Sequence, residues 1–116
     1  MPTYEKLKQR WQAEQMARAQ QAEARKAAIL TKGISIFKKF GVQKVVLFGS
    51  VADNSSGETS DLDLLAAPLS AKNYWACRHE LEQAVEYPID LYTQDDEQTF
   101  VAKILQRGEV IYEVHA

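Results

Sequence analysis

Ten residues separate Ser50 from Asp61, and that short interval constrains the fold more than any other feature of the chain. Apolar runs that read as strands lie on either side of it. The first is Lys44, Val45, Val46, Leu47 and Phe48, β-branched and aromatic, ended by Gly49. The second runs over 61–67, with Leu62, Leu64, Leu65, Ala66 and Ala67, and Pro68 closes it. A parallel crossover needs about a dozen residues or more, helix included. Ten residues with Asn54, Ser55, Ser56 and Gly57 as a turn suit an antiparallel return better. The end of the first strand then lies beside the start of the second, and Gly49 and Ser50 approach Asp61 and Asp63.

Around this pair the apolar periodicity is helical. Residues 3–32 contain no proline or glycine and are dominated by Ala, Gln, Glu, Lys and Arg, which predicts a long N-terminal helix. Tyr4, Leu7 and Trp11 keep helical spacing, but over 12–26 the apolar content falls to Met16 and scattered alanines. The pattern returns with Ile29, Leu30, Ile34, Phe37 and Phe40. Gly33 marks a possible interruption, and Gly41 the end. Ser70 is expected to cap a helix running to about Glu86, with Tyr74, Cys77, Leu81 and Val85 inward. Residues 88–92 form a third strand, 95–106 a last helix with Phe100, Ile104 and Leu105 inward, and 109–113 a final strand. This order predicts an α/β (α+β) fold, a mixed sheet with flanking helices and a long N-terminal helix. The expected division is a basic helical arm over 1–40 and a core over 41–116.

Composition narrows the function classes. The chain has 116 residues, 46% of them hydrophobic, enough for one modest core. Its single cysteine excludes a disulfide framework and a four-cysteine zinc site, and points to a reducing cytoplasm. No apolar stretch approaches the roughly 20 residues that span a bilayer. The net charge of −2 combines +6 over residues 1–40 with −8 over 41–116. An acidic body does not grip nucleic acid by bare phosphate attraction. A phosphate compound would reach it through metal ions.

Asp61 and Asp63, two apart on a strand, project from the same face. Their paired hard oxygens suit Mg²⁺. Leu62, Leu64 and Leu65 give them an apolar setting. Asp90, between Ile89 and Leu91, is a third strand-borne acid, and a buried one is costly unless paired or metal-bound. Gly49 lets a backbone approach a ligand closely, and Ser50 offers a hydroxyl and helix-start N–H groups for phosphate. Each piece alone has an ordinary reading: a solvated strand end, a turn with a helix cap, an edge residue facing water.

Together, Gly49-Ser50, ten residues, Asp61-Leu62-Asp63 and a later Asp90 resemble the motif of the polymerase β-type nucleotidyltransferases. In size the chain is similar to the minimal nucleotidyltransferases (MNT proteins), many of them antitoxins of HEPN-domain ribonuclease toxins. The resemblance implies a polymerase β-like core and transfer of AMP from ATP to a tyrosine of the toxin. It implies that Asp61, Asp63 and Asp90 are catalytic and hold two Mg²⁺ ions, while Gly49 and Ser50 bind the ATP phosphates. Val51, Ala52 and Asp53 stand where the family often has basic residues. That departure keeps open an antitoxin that neutralises by binding alone. A drug- or nucleotide-modifying transferase would need an acceptor domain for which this length leaves no room. Cys77 and His79 do not share a helix face, and Arg78 beside His79 lacks the spacing of a HEPN ribonuclease. Tyr4 and Trp11 read either as local packing or as partner anchors.

Overall fold

A computed structural model describes residues 3–49 and 61–115. Helix α1, Tyr4–Ala28, starts where Thr3 accepts a hydrogen bond from the Lys6 amide at 3.3 Å. The chain does not break at Gly33. It passes through a π-helical stretch, Ile29–Gly33, directly into α2, Ile34–Lys39. The hydroxyl of Thr31 donates to the Ala27 carbonyl at 2.7 Å within this stretch. Gly33 is needed there for a packing reason. A Cβ would lie 2.6 Å from Ile29 Cδ1, so the glycine leaves room for the buried Ile29 side chain one turn earlier, with Leu81 in ordinary contact at 3.4 Å. The stop comes at Gly41, whose φ of +77° suits glycine.

Strands β1, Lys44–Phe48, β2, Leu62–Ala67, β3, Ile89–Tyr92, and β4, Glu109–Glu113, form one sheet in the order β3-β2-β1-β4. β1 pairs antiparallel with β2 and with β4, and β2 pairs parallel with β3. The short return after β1 is therefore antiparallel, as its length requires, with Phe48 opposite Asp63. Asp61 sits just before β2 rather than within it. Helix α3, Ala71–Val85, is capped by Ser70 and joins β2 to β3. Helix α4, Gln98–Arg107, starts three residues later than the periodicity suggests. The Glu97 carboxylate fixes that start by accepting from the amides of Thr99 and Phe100 at 3.0 and 2.9 Å.

The sheet divides its side chains between two unequal layers. Val45, Leu47, Leu62, Leu64, Ala66, Ile89 and Leu91 share the main core with Ala22, Ile29 and Phe37 and with Cys77, Leu81 and Val85 of α3. Val46 and Leu65 face the other way, against Ile104 of α4. Leu105 is 45% exposed and Phe100 38%, so of the three residues expected inward on α4 only Ile104 is buried. Helix geometry gives the reason for Leu105: it lies about 100° around the helix from Ile104. Residues 3–18 are all exposed, among them Tyr4, Leu7, Trp11 and Met16. Burial begins at Ala22 and Arg25.

Candidate functional site

The carboxylates stand on the thinly covered face. Alternation along β2 sends Leu62 and Leu64 to the main core and turns Asp63 to the opposite side with Leu65. Leu62 and Leu64 therefore do not surround the acids, as their proximity in sequence suggested. Leu65 alone of the three shares their face. Parallel pairing places Asp63 opposite Asp90, and Leu65 opposite Tyr92. All three acids are half-buried.

Gly49 closes the other side of Asp63. Its φ is +77°, and a Cβ there would collide with Asp63 Oδ2 and lie 3.0 Å from Cγ. Only glycine allows this approach without strain. Ser50 lies outside the described residues.

The Asp63 carboxyl is held well above its ordinary 3.8, at about 6. Burial contributes most, followed by the negative charges of Asp90 and then Asp61. Among the described residues no three His, Cys, Asp or Glu side chains converge as a preformed metal cage. The donor set nonetheless fits Mg²⁺, which takes hard oxygens and is usually held by one or two carboxylates together with substrate phosphates and water.

An aromatic cluster that the sequence reading missed stands on the same face. Phe48, Tyr92 and Phe100 have ring centroids 5.2–6.0 Å apart. Period-2 alternation sorts each strand's residues between two faces but does not say which face of β1 matches which face of β3. Burial raises the pKa of Tyr92, with Asp90 and Asp63 adding to it. Beyond Phe48 and Gly49 a cleft of about 290 Å³ opens toward α4.

Cys77 is fully buried, and burial, then Glu80, pushes its thiol up to about 11. His79 is exposed. These two form no catalytic pair. Among the described residues no helix is long and apolar enough to cross a membrane.

The mixed sheet thus turns a set of half-buried carboxylates to one face, with Gly49 pressed against Asp63. Residues 31–115 match the polymerase beta nucleotidyltransferase family, and the chain belongs to it. Comparison with curated proteins found no match. Among solved structures, the fold is similar to a toxin–antitoxin crystallised with AMP-PNP, at 23% identity over 74% of each chain, TM-score 0.62. It is also similar to the MntA–HepT toxin–antitoxin, at 22% identity over 70% of this chain and 67% of that one, TM-score 0.51. A third is the tri-AMPylated HEPN toxin of Shewanella oneidensis in complex with its MNT antitoxin. There the match is 19% identical over 86% of this chain and 73% of that one, TM-score 0.50.

Proposed function

We propose that this protein is the MNT antitoxin of a HEPN ribonuclease toxin and an Mg²⁺-dependent adenylyltransferase that moves AMP from ATP to a tyrosine of that toxin. The observation that carries the reading is Asp63, flanked by Asp90 on β3 and pressed by Gly49, in a chain of this family. The neighbours crystallised with AMP-PNP and as a tri-AMPylated toxin support ATP as donor and the toxin as acceptor. The expected setting is the cytoplasm.

In this reading Asp61 and Asp63 hold two Mg²⁺ ions, with Asp90 completing one ligand set. When bound, the ions neutralise phosphate charge and the charge that develops during transfer. The Gly49 backbone and Ser50 hold the β- and γ-phosphates. The tyrosine oxygen forms a bond to the α-phosphorus in line with the bond that breaks, and pyrophosphate leaves with that bond's electrons. Asp90 takes the phenolic proton. The exposed arm, with Tyr4, Leu7 and Trp11 at helical spacing, docks on the toxin and holds the acceptor near the acids.

Incubating the protein with labelled ATP, Mg²⁺ and the cognate toxin tests this directly. Label on the toxin is expected, with loss of its ribonuclease activity. Neutralisation without label would instead establish binding alone, a reading favoured by the uncharged Val51 and Ala52 and the acidic Asp53 after Ser50.

A further inference from the structure

We infer that the cleft between α4 and the end of β1 is a polyphosphate subsite in which Lys103 and Arg107 hold the non-reacting phosphates of a nucleoside triphosphate. The inference rests on the nucleotidyltransferase reading above and assigns part of that work to residues outside its motif.

The cleft, of about 290 Å³, is lined by Phe48, Phe100 and Ile104, by Gly49, and by Lys103 and Arg107. The α4 members fall at i, i+3, i+4 and i+7, so one helical face presents both cations together with the apolar lining. Five cations belong to residues 41–116: Lys44, Lys72, Arg78, Lys103 and Arg107. Two of these five, Lys103 and Arg107, line the cleft to which Gly49 contributes. Both are exposed, and among the described residues neither makes an ion pair. Arg78, by contrast, is engaged with Glu82 at 3.0 Å.

Gly49 joins the two places. It abuts the Asp63 carboxylate and also lines the cleft. A triphosphate whose α-phosphorus lies at the acids can thus continue past Gly49 toward the cations. The chemistry requires positive charge there, because Val51, Ala52 and Asp53 supply none. An Arg fork and a Lys ammonium are the side chains that bind phosphate oxygens. The apolar lining lowers the local dielectric and strengthens the attraction. A second cleft, of about 260 Å³, is lined by Tyr74, Trp75, Asp95 and Asp96 and would repel the same ligand.

Calorimetric titration of ATP and of AMP, each with Mg²⁺, into the full chain and its Lys103→Gln, Arg107→Gln and double variants tests the assignment. Each substitution should weaken ATP binding by about tenfold, the value of one charge-assisted contact, and leave AMP binding nearly unchanged. Inorganic tripolyphosphate should compete with ATP on the unmodified protein and lose most of that ability on the double variant. Unchanged ATP affinity in the double variant would overturn the inference alone, leaving the two cations as solvated ends of α4. Equal loss of ATP and AMP would also overturn it, since the cleft would then hold the nucleoside. No ATP binding by the unmodified protein would remove the catalytic reading and this inference together. Matching melting temperatures check that these exposed positions leave the fold intact.

Discussion

Asp63 and Asp90 are direct register partners across the parallel β2–β3 pair, on neighbouring backbones about 4.8 Å apart. Burial, and then the negative charges of Asp90 and Asp61, hold the Asp63 carboxyl above its ordinary pKa.

The first prediction concerns pH. In the unfolded chain Asp63 ionises near 3.8, and in the fold near 6. Between those values the folded state holds the extra proton, so stability falls as pH rises through the window and stays lower above it. Asp63→Asn removes this contribution. Thermal melts at pH 4 and 7.5 without divalent cations should show the variant gaining on the unmodified protein at the higher pH. Parallel pH profiles for the two proteins would contradict the assignment. Adding Mg²⁺ at pH 7.5 should stabilise the unmodified protein more than the variant.

Asp61→Asn and Asp63→Asn are each expected to reduce AMP transfer to background while leaving the fold intact. Asp90→Asn should lower the transfer rate by about 10²–10⁴-fold, the range for loss of a general base, and spare ATP affinity. Single-turnover rates and calorimetry separate the two effects. Equal loss of both would remove Asp90 from the attacking hydroxyl.

Gly49→Ala places a methyl group against Asp63 and forces an L side chain to φ +77°. The left-handed conformation alone costs about 1–2 kcal/mol. Urea denaturation should show at least that loss. The double variant Gly49→Ala, Asp63→Ala should lose less than the sum of the single variants, because part of the collision disappears. Strict additivity would mean that the two groups do not press on each other.

Removing residues 1–18 takes away only exposed positions among those described, so the melting temperature should hold while affinity for the toxin drops. Removing residues 1–26 also takes Ala22 and Arg25, both buried. Arg25 lies 4.8 Å over the Tyr87 ring, and its loss opens that packing. The longer truncation should therefore destabilise the domain. Unchanged toxin affinity after the shorter one would show that the arm does not dock.

Strands β1 and β2, their antiparallel pairing and the closeness of Gly49 to Asp63 were legible because all are encoded between residues 44 and 67. Phe48 opposite Asp63 follows from the length of one connection. The continuation of helix through Gly33 was not legible, because a glycine at a helix interior reads the same as one at its end, and here the space it leaves is taken by the Ile29 side chain. Ser70 was readable as a cap, but Glu97 was not, since glutamate is rarely read as an N-cap and here it serves two amides. Lys103 and Arg107 share a cleft with Gly49 because α4 packs beside β1 and leads into β4, its sheet partner, a long-range arrangement that no local pattern records.

The unequal layers of the sheet also shape how such a protein can change over generations. Its cohesion resides with Phe37, Leu47, Leu64 and Leu81 on one face, while the acids occupy the other. Exchange of an acid for a neutral side chain relieves repulsion and removes none of that apolar packing. Natural selection can therefore erase the chemistry in a single substitution and retain a folded chain that still presents its arm. Under the proposed function, a lineage could shift from transferase to stoichiometric inhibitor without passing through an unstable ancestor.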